Sequence, residues 1–207
     1  MVKIRSEKLK KKLKPLPEDP ILRALARNQV MTYSELNQQV GASGMKLSRM
    51  AKAGLLIPVG SGIYASSALD PLVAAVLATT KYYPQAVISG FTALQIHGLG
   101  EEYIEKIDVD VRRETSIRNK MLRVHRVPHA RLVGIITFKY QGVSIRIYDP
   151  ERTLCEAYLL DPEGAHFFKA LKRYVANGKI DYNKIQKYDK SVKTHVLDRL
   201  RQEVADA

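Results

Sequence analysis

Apolar residues first recur with helical spacing at Ile21, Leu22, Leu25 and Ala26, and the pattern stops near Asn28. A second helix is signalled by Thr32 as cap with Glu35 at the third helical position, a capping box, followed by the buried stripe Tyr33, Leu36 and Val40. Gly41 ends it. Ser43 then caps a third helix, with Leu47, Met50, Ala51 and Gly54 as its inward face. Met45, Ser48, Arg49 and Lys52 point outward and Lys46 flanks them, so the outer face is basic and hydroxylated. Two short β-prone runs, 55–58 and 63–65, flank Val59-Gly60-Ser61-Gly62 and predict a hairpin. Three helices followed by a hairpin is the order of a winged helix-turn-helix.

Past Asp70 the pattern changes. Pro71 opens an apolar helix that stops before Pro84, and a strand-like triplet at 86–88 runs into a short helix capped by Ser89 and ended by Gly98. Strands are predicted at 106–112, 122–126, 131–140 and 143–148, the last two joined by a turn at Gln141-Gly142. Helices resume from Pro150, including 164–176 and 191–204, where Val192, Val196, Leu197, Leu200 and Val204 form a stripe suited to closing the core. The expected fold class is therefore α+β: a basic arm and proline-rich linker over 1–19, a winged helix-turn-helix over 20–69, and a mixed α+β domain over 70–207.

Charge sharpens this picture. The 207 residues carry 34 Lys and Arg against 21 Asp and Glu, a net +13, which favours a polyanionic partner. Seven of those cations precede Pro15, and prolines at 15, 17 and 20 deny the segment continuous helix. A single cysteine, Cys155, excludes an internal disulfide and suits a reducing, cytoplasmic setting. No apolar run is long enough to cross a bilayer, and the N-terminus lacks the apolar core of a signal peptide, so no membrane role is expected.

A basic third helix and a small-residue hairpin tip suit double-stranded DNA. Arg49 and Lys52 match the donor geometry of guanine O6 and N7, and Ser43, Met45, Lys46 and Ser48 share that face. Gly60, Ser61 and Gly62 would let backbone N–H groups approach phosphate closely. Lys10, Lys11 and Lys12 would add salt-dependent, sequence-independent affinity.

Three stretches carry a family resemblance: the G-L-L-x-x-x-x-x-G-I-Y-A ending of the hairpin (Gly54, Leu55, Leu56, then 62–65), ISGFTALQIHGL (88–99) and YDPERTLCEA (148–157). In order and spacing over about residues 20–160 they resemble the AbiEi antitoxins of type IV toxin-antitoxin systems, which act in abortive infection and phage defence. The resemblance implies an N-terminal winged helix that binds inverted repeats in its own promoter, as monomer or dimer, and represses transcription. It further implies a C-terminal domain that counters an AbiEii-type nucleotidyltransferase toxin without a stable complex.

Asp108 and Asp110 alternate on a strand as in two-metal nucleotidyltransferases, but a Gly-Ser pair ahead of them is missing and Arg146 stands where a third carboxylate is needed. The expectation is an exposed acidic face pairing with Arg112 and Arg113. His97 reads as an N–H donor near a helix end, His125 and His129 lack zinc-site spacing, and Cys155 reads as packing. Glu151 and Arg152 read as a buried ion pair or a helix start. No phosphate-cradling loop occurs, so no catalytic residue, metal or cofactor is expected; a scaffold that binds the toxin directly remains the other non-enzymatic alternative.

Overall fold

The computed structural model describes residues 18–101, 104–162 and 164–205. Lys10, Lys11 and Lys12 lie outside the described residues. The first elements are α1 (Pro20–Asn28), β1 (Val30–Thr32), α2 (Tyr33–Val40), α3 (Gly44–Lys52), β2 (Leu56–Pro58) and β3 (Ile63–Ser66). Asp19 caps α1 by accepting the Ile21 amide at 2.8 Å. The Thr32–Glu35 capping box forms in both directions, and Gly41 leaves α2 at φ +65, where glycine carries no side-chain clash. β1 has no counterpart in the sequence reading: three residues are too few to show a period, and its pairing partner is β3, through Val30–Ala65 and Thr32–Ile63. The result is an antiparallel sheet in the order β1-β3-β2. Ile21, Leu25, Leu36, Leu47, Met50 and Leu56 form the core between that sheet and the three helices. Gly54 does not belong to the inward face of α3: the helix ends at Lys52, and Gly54 turns the chain at φ +69.

α4 (Pro71–Tyr82), capped by Asp70, is buried along all of Val73 to Thr79. A surface helix shows a single apolar stripe, and α4 lacks one because it is covered on more than one side. One cluster of buried side chains joins it to Val30, Ile63 and Ala65 of the first sheet and to Ile88, Val109, Ile145 and Ile147 of a second. Lys81 and Tyr82 at its end reach the Val30 carbonyl and Glu35.

The second sheet contains β4 (Val87–Ile88), β5 (Ile107–Arg112), β6 (Leu122–Val127), β7 (Ile135–Tyr140) and β8 (Val143–Tyr148), in the order β6-β5-β4-β8-β7. It is mixed, with β5–β6 and β4–β8 parallel and β4–β5 and β7–β8 antiparallel. The fold is thus α+β with two sheets. Ile107, Val109 and Val111 turn to α4, while Asp108 and Asp110, on the alternate face, turn to α5 (Gly90–Ile96) and α6 (Pro150–Leu160).

Two boundaries depart from the sequence pattern. The strand expected from residue 131 starts at Ile135, because His129–Arg131 form a 3-10 turn and Gly134 bends at φ +77, hard against Arg152 and Tyr188. The helix expected over 191–204 starts late, as α9 (Val196–Ala205): its first two residues end a helix the sequence pattern did not give, α8 (Tyr182–Val192), and Lys193 after it has φ 61. Asp189 turns that corner, its carboxylate accepting the Thr194 hydroxyl and the amides of Val196 and Leu197. Val192, Val196 and Leu200 are fully buried beside Phe167 and Leu171 of α7 (Ala165–Ala176), so most of the stripe does close the core. Among the described residues no helix is long and apolar enough to cross a membrane.

Candidate nucleic-acid interface

α3 owes its start to Ser43, whose hydroxyl accepts the Lys46 amide at 3.2 Å, so that side chain serves the helix first. Leu47 and Met50 are buried, and Met45, Lys46, Ser48, Arg49 and Lys52 are exposed as the periodicity predicts; Met45 is 67% exposed. The cations on this face are unequal. Lys46 Nζ lies 2.8 Å from Asp19 Oδ2, a hydrogen bond that chiefly holds the Asp19 carboxyl below its usual range. Arg49 rests 3.4 Å from the Met45 sulfur, and among the described residues neither it nor Lys52 has a carboxylate partner. Both sit in the last turn of α3, where the helix dipole favours positive charge.

The β2–β3 tip adopts left-handed backbone at Gly60, Ser61 and Gly62, with φ of 83, 50 and 69. It does not stand free. The Ser61 hydroxyl donates to the Arg118 carbonyl at 2.7 Å, and Asn119 Nδ2 donates to the Val59 carbonyl at 3.2 Å. A Cβ on Gly60 would stand 2.1 Å from Asn119 Oδ1, so the missing side chain admits Asn119. At Gly62 a Cβ would meet Tyr33 Cβ at an ordinary 3.8 Å, and the Gly62 carbonyl accepts the Tyr33 amide at 2.7 Å. Sequence reasoning missed Arg118 and Asn119, since their contacts span 57 and 60 residues and leave no local pattern.

Asp108 and Asp110 correct a second expectation. They are buried, at 1% and 0% exposure, and their partners are not Arg112 and Arg113. Asp108 Oδ1 accepts Arg123 at 3.1 Å and faces His125 Nε2 at 3.2 Å; Asp110 Oδ2 accepts the Tyr148 hydroxyl at 2.9 Å. Parallel pairing of β5 with β6 sets Asp108 opposite Arg123 and Asp110 opposite His125. The hydrogen bond to Asp108 raises the His125 pKa against the effect of burial, with Asp110 and Glu156 adding to it. Among the described residues no three His, Cys, Asp or Glu converge as a metal site.

The remaining candidates resolve into scaffolding. His97 Nε2 lies 2.8 Å from the Tyr148 carbonyl; burial lowers its pKa, and the neutral ring donates. Burial pushes the Cys155 thiol up to about 12, so it supplies no thiolate near neutrality. Arg152 pairs not with Glu151 but with Glu156, at 2.5 Å, and its guanidinium lies 4.4 Å over the Tyr148 ring. Glu151 instead takes the Tyr174 hydroxyl at 2.8 Å and Lys184 at 3.3 Å. His129 is exposed on the 3-10 turn.

Neither a protein-family model nor any curated protein matches the chain. Among solved structures, the crystal structure of the RV2827C protein from Mycobacterium tuberculosis is similar, with a TM-score of 0.60 and 14% identity over 88% of this chain and 75% of that one. At that identity the likeness extends to the fold alone.

Proposed function

We propose that this chain is a DNA-binding transcriptional autorepressor and the antitoxin of a type IV toxin-antitoxin system, acting in the cytoplasm against an AbiEii-type nucleotidyltransferase toxin. The observation that carries the DNA-binding reading is the exposed face of α3, where Arg49 and Lys52 stand free of carboxylates beside Ser48 and Met45. The order α1-β1-α2-α3-β2-β3, with its sheet packed against the helices, supports reading residues 20–69 as a winged helix-turn-helix with α3 as the major-groove helix. The antitoxin half rests on the resemblance of 88–99 and 148–157 to the AbiEi family. Burial of Asp108 and Asp110 against Arg123 and Tyr148 supports a non-enzymatic second half, since a two-metal site needs carboxylates open to substrate.

The test is an anisotropy titration against the duplex upstream of the gene and a scrambled duplex, each at two salt concentrations. The native duplex should bind more tightly at both. Arg49→Ala should cost about 1–3 kcal/mol and reduce discrimination if Arg49 reads a base. Equal binding of both duplexes by the unaltered protein, at both salts, would overturn the repressor reading.

A further inference from the structure

We propose that Arg118 and Lys120, on the connection between β5 and β6, bind backbone phosphates of the same nucleic acid beside the β2–β3 tip. The inference rests on the DNA-binding reading above. Its starting point is the occupied tip: the Ser61 hydroxyl is spent on the Arg118 carbonyl and the Gly60 face is filled by Asn119. The turn packed against the tip brings its own cations.

That turn is held at several points. Ile117 and Leu122 are buried in the core shared with α4, anchoring both ends. Between them Asn119 accepts the Met121 amide at 2.9 Å and donates to the Val59 carbonyl, with the Tyr83 hydroxyl 3.5 Å away. Arg118 and Lys120 flank the half-buried Asn119, and both are exposed. Among the described residues neither has a carboxylate within ion-pair distance, unlike Lys46 with Asp19 or Arg123 with Asp108. An anchored backbone spares the turn itself the cost of ordering when an anion docks on its unpaired cations. Across the tip, Gly62 is bonded to the start of α2, where Tyr33 is 43% exposed. Exposed Tyr33, Ser61 and Gly62 are thus linked by hydrogen bonds to the turn that carries the exposed cations Arg118 and Lys120. Its chemistry fits the sugar-phosphate backbone of a duplex.

The double variant Arg118→Ala/Lys120→Ala should reduce the slope of log K against log salt by about 1.8, from about 0.9 per phosphate contact. Affinity for upstream and scrambled duplex should fall by the same factor, leaving their ratio unchanged. The charge-preserving swap Arg118→Lys/Lys120→Arg should keep the original slope. An unchanged slope in the alanine variant, in a protein that binds the upstream duplex and is weakened by Arg49→Ala, would sink this inference and leave the repressor reading standing. So would a changed preference between the duplexes, or loss of slope in the charge-preserving swap. Failure of the unaltered protein to bind any duplex would remove both.

Discussion

Replacing Arg152 should be among the most damaging single changes in the second half of the chain. Its side chain is fully buried, yet it carries a charge, paired at 2.5 Å with Glu156, bonded at 3.1 Å to the Arg131 carbonyl and stacked at 4.4 Å on Tyr148. Arg152→Met keeps much of the volume and removes all three. Breaking a buried pair from one side costs about 3–5 kcal/mol, because the remaining charge keeps its desolvation penalty without its partner. Burial already raises the Glu156 pKa against the pull of Arg152, so losing the cation pushes it further up, and easier protonation of that carboxyl limits the loss. The expectation is about 3 kcal/mol at pH 7, a large share of a typical folding free energy. Urea unfolding followed by circular dichroism, with an unchanged slope and a lowered midpoint, reads it directly. Arg152→Met/Glu156→Leu should recover most of the loss, since apolar replacement of a buried pair is near neutral. A single variant costing under about 1 kcal/mol, or a double variant as unstable as the single, would refute the reasoning.

Two pH dependences follow from other carboxylate contacts. Burial opposes ionisation of Glu35, but hydrogen bonds from Tyr82 and Thr32 and the charge of Lys81 outweigh it and lower the carboxyl from 4.5 to about 2. Its contribution is present above the unfolded value and is lost as pH falls from 4.5 towards 2; with the side chain 39% exposed, screening reduces it to about 1 kcal/mol. Glu35→Gln should remove that part of the acid-induced loss in urea midpoints, and identical acid profiles would contradict it. His125 works in the opposite sense: raised by its hydrogen bond to Asp108, it stabilises fully below the unfolded value of 6.5, and the contribution fades as pH rises through the folded value. His125→Gln should flatten the decline in stability across that range, and an NMR titration of the His125 ring with a midpoint below 6.5 would refute the assignment.

Local chemistry alone determined much of the first half. The capping box at Thr32 and Glu35, the cap at Ser43 and the exposed run Met45, Ser48, Arg49 and Lys52 all depend on neighbours three or four positions apart, which the sequence displays. The alternation that set Asp108 and Asp110 on one face of β5 is equally local, spanning two positions. Tertiary structure alone decided what those faces meet. Nothing near Asp108 announces Arg123 or His125, because the parallel β5–β6 register depends on a crossover rather than a hairpin turn. Nothing near Ser61 announces Arg118, 57 residues away, or turns a tip of small residues into a socket for Asn119. The single stripe over 191–204 became two helices because Asp189 offers its carboxylate to amides seven and eight residues on, a cap formed across a corner. Periodicity and caps are written in short-range spacing, whereas burial and partner choice arise when distant segments exclude water together, and that is set by the packing of the whole chain.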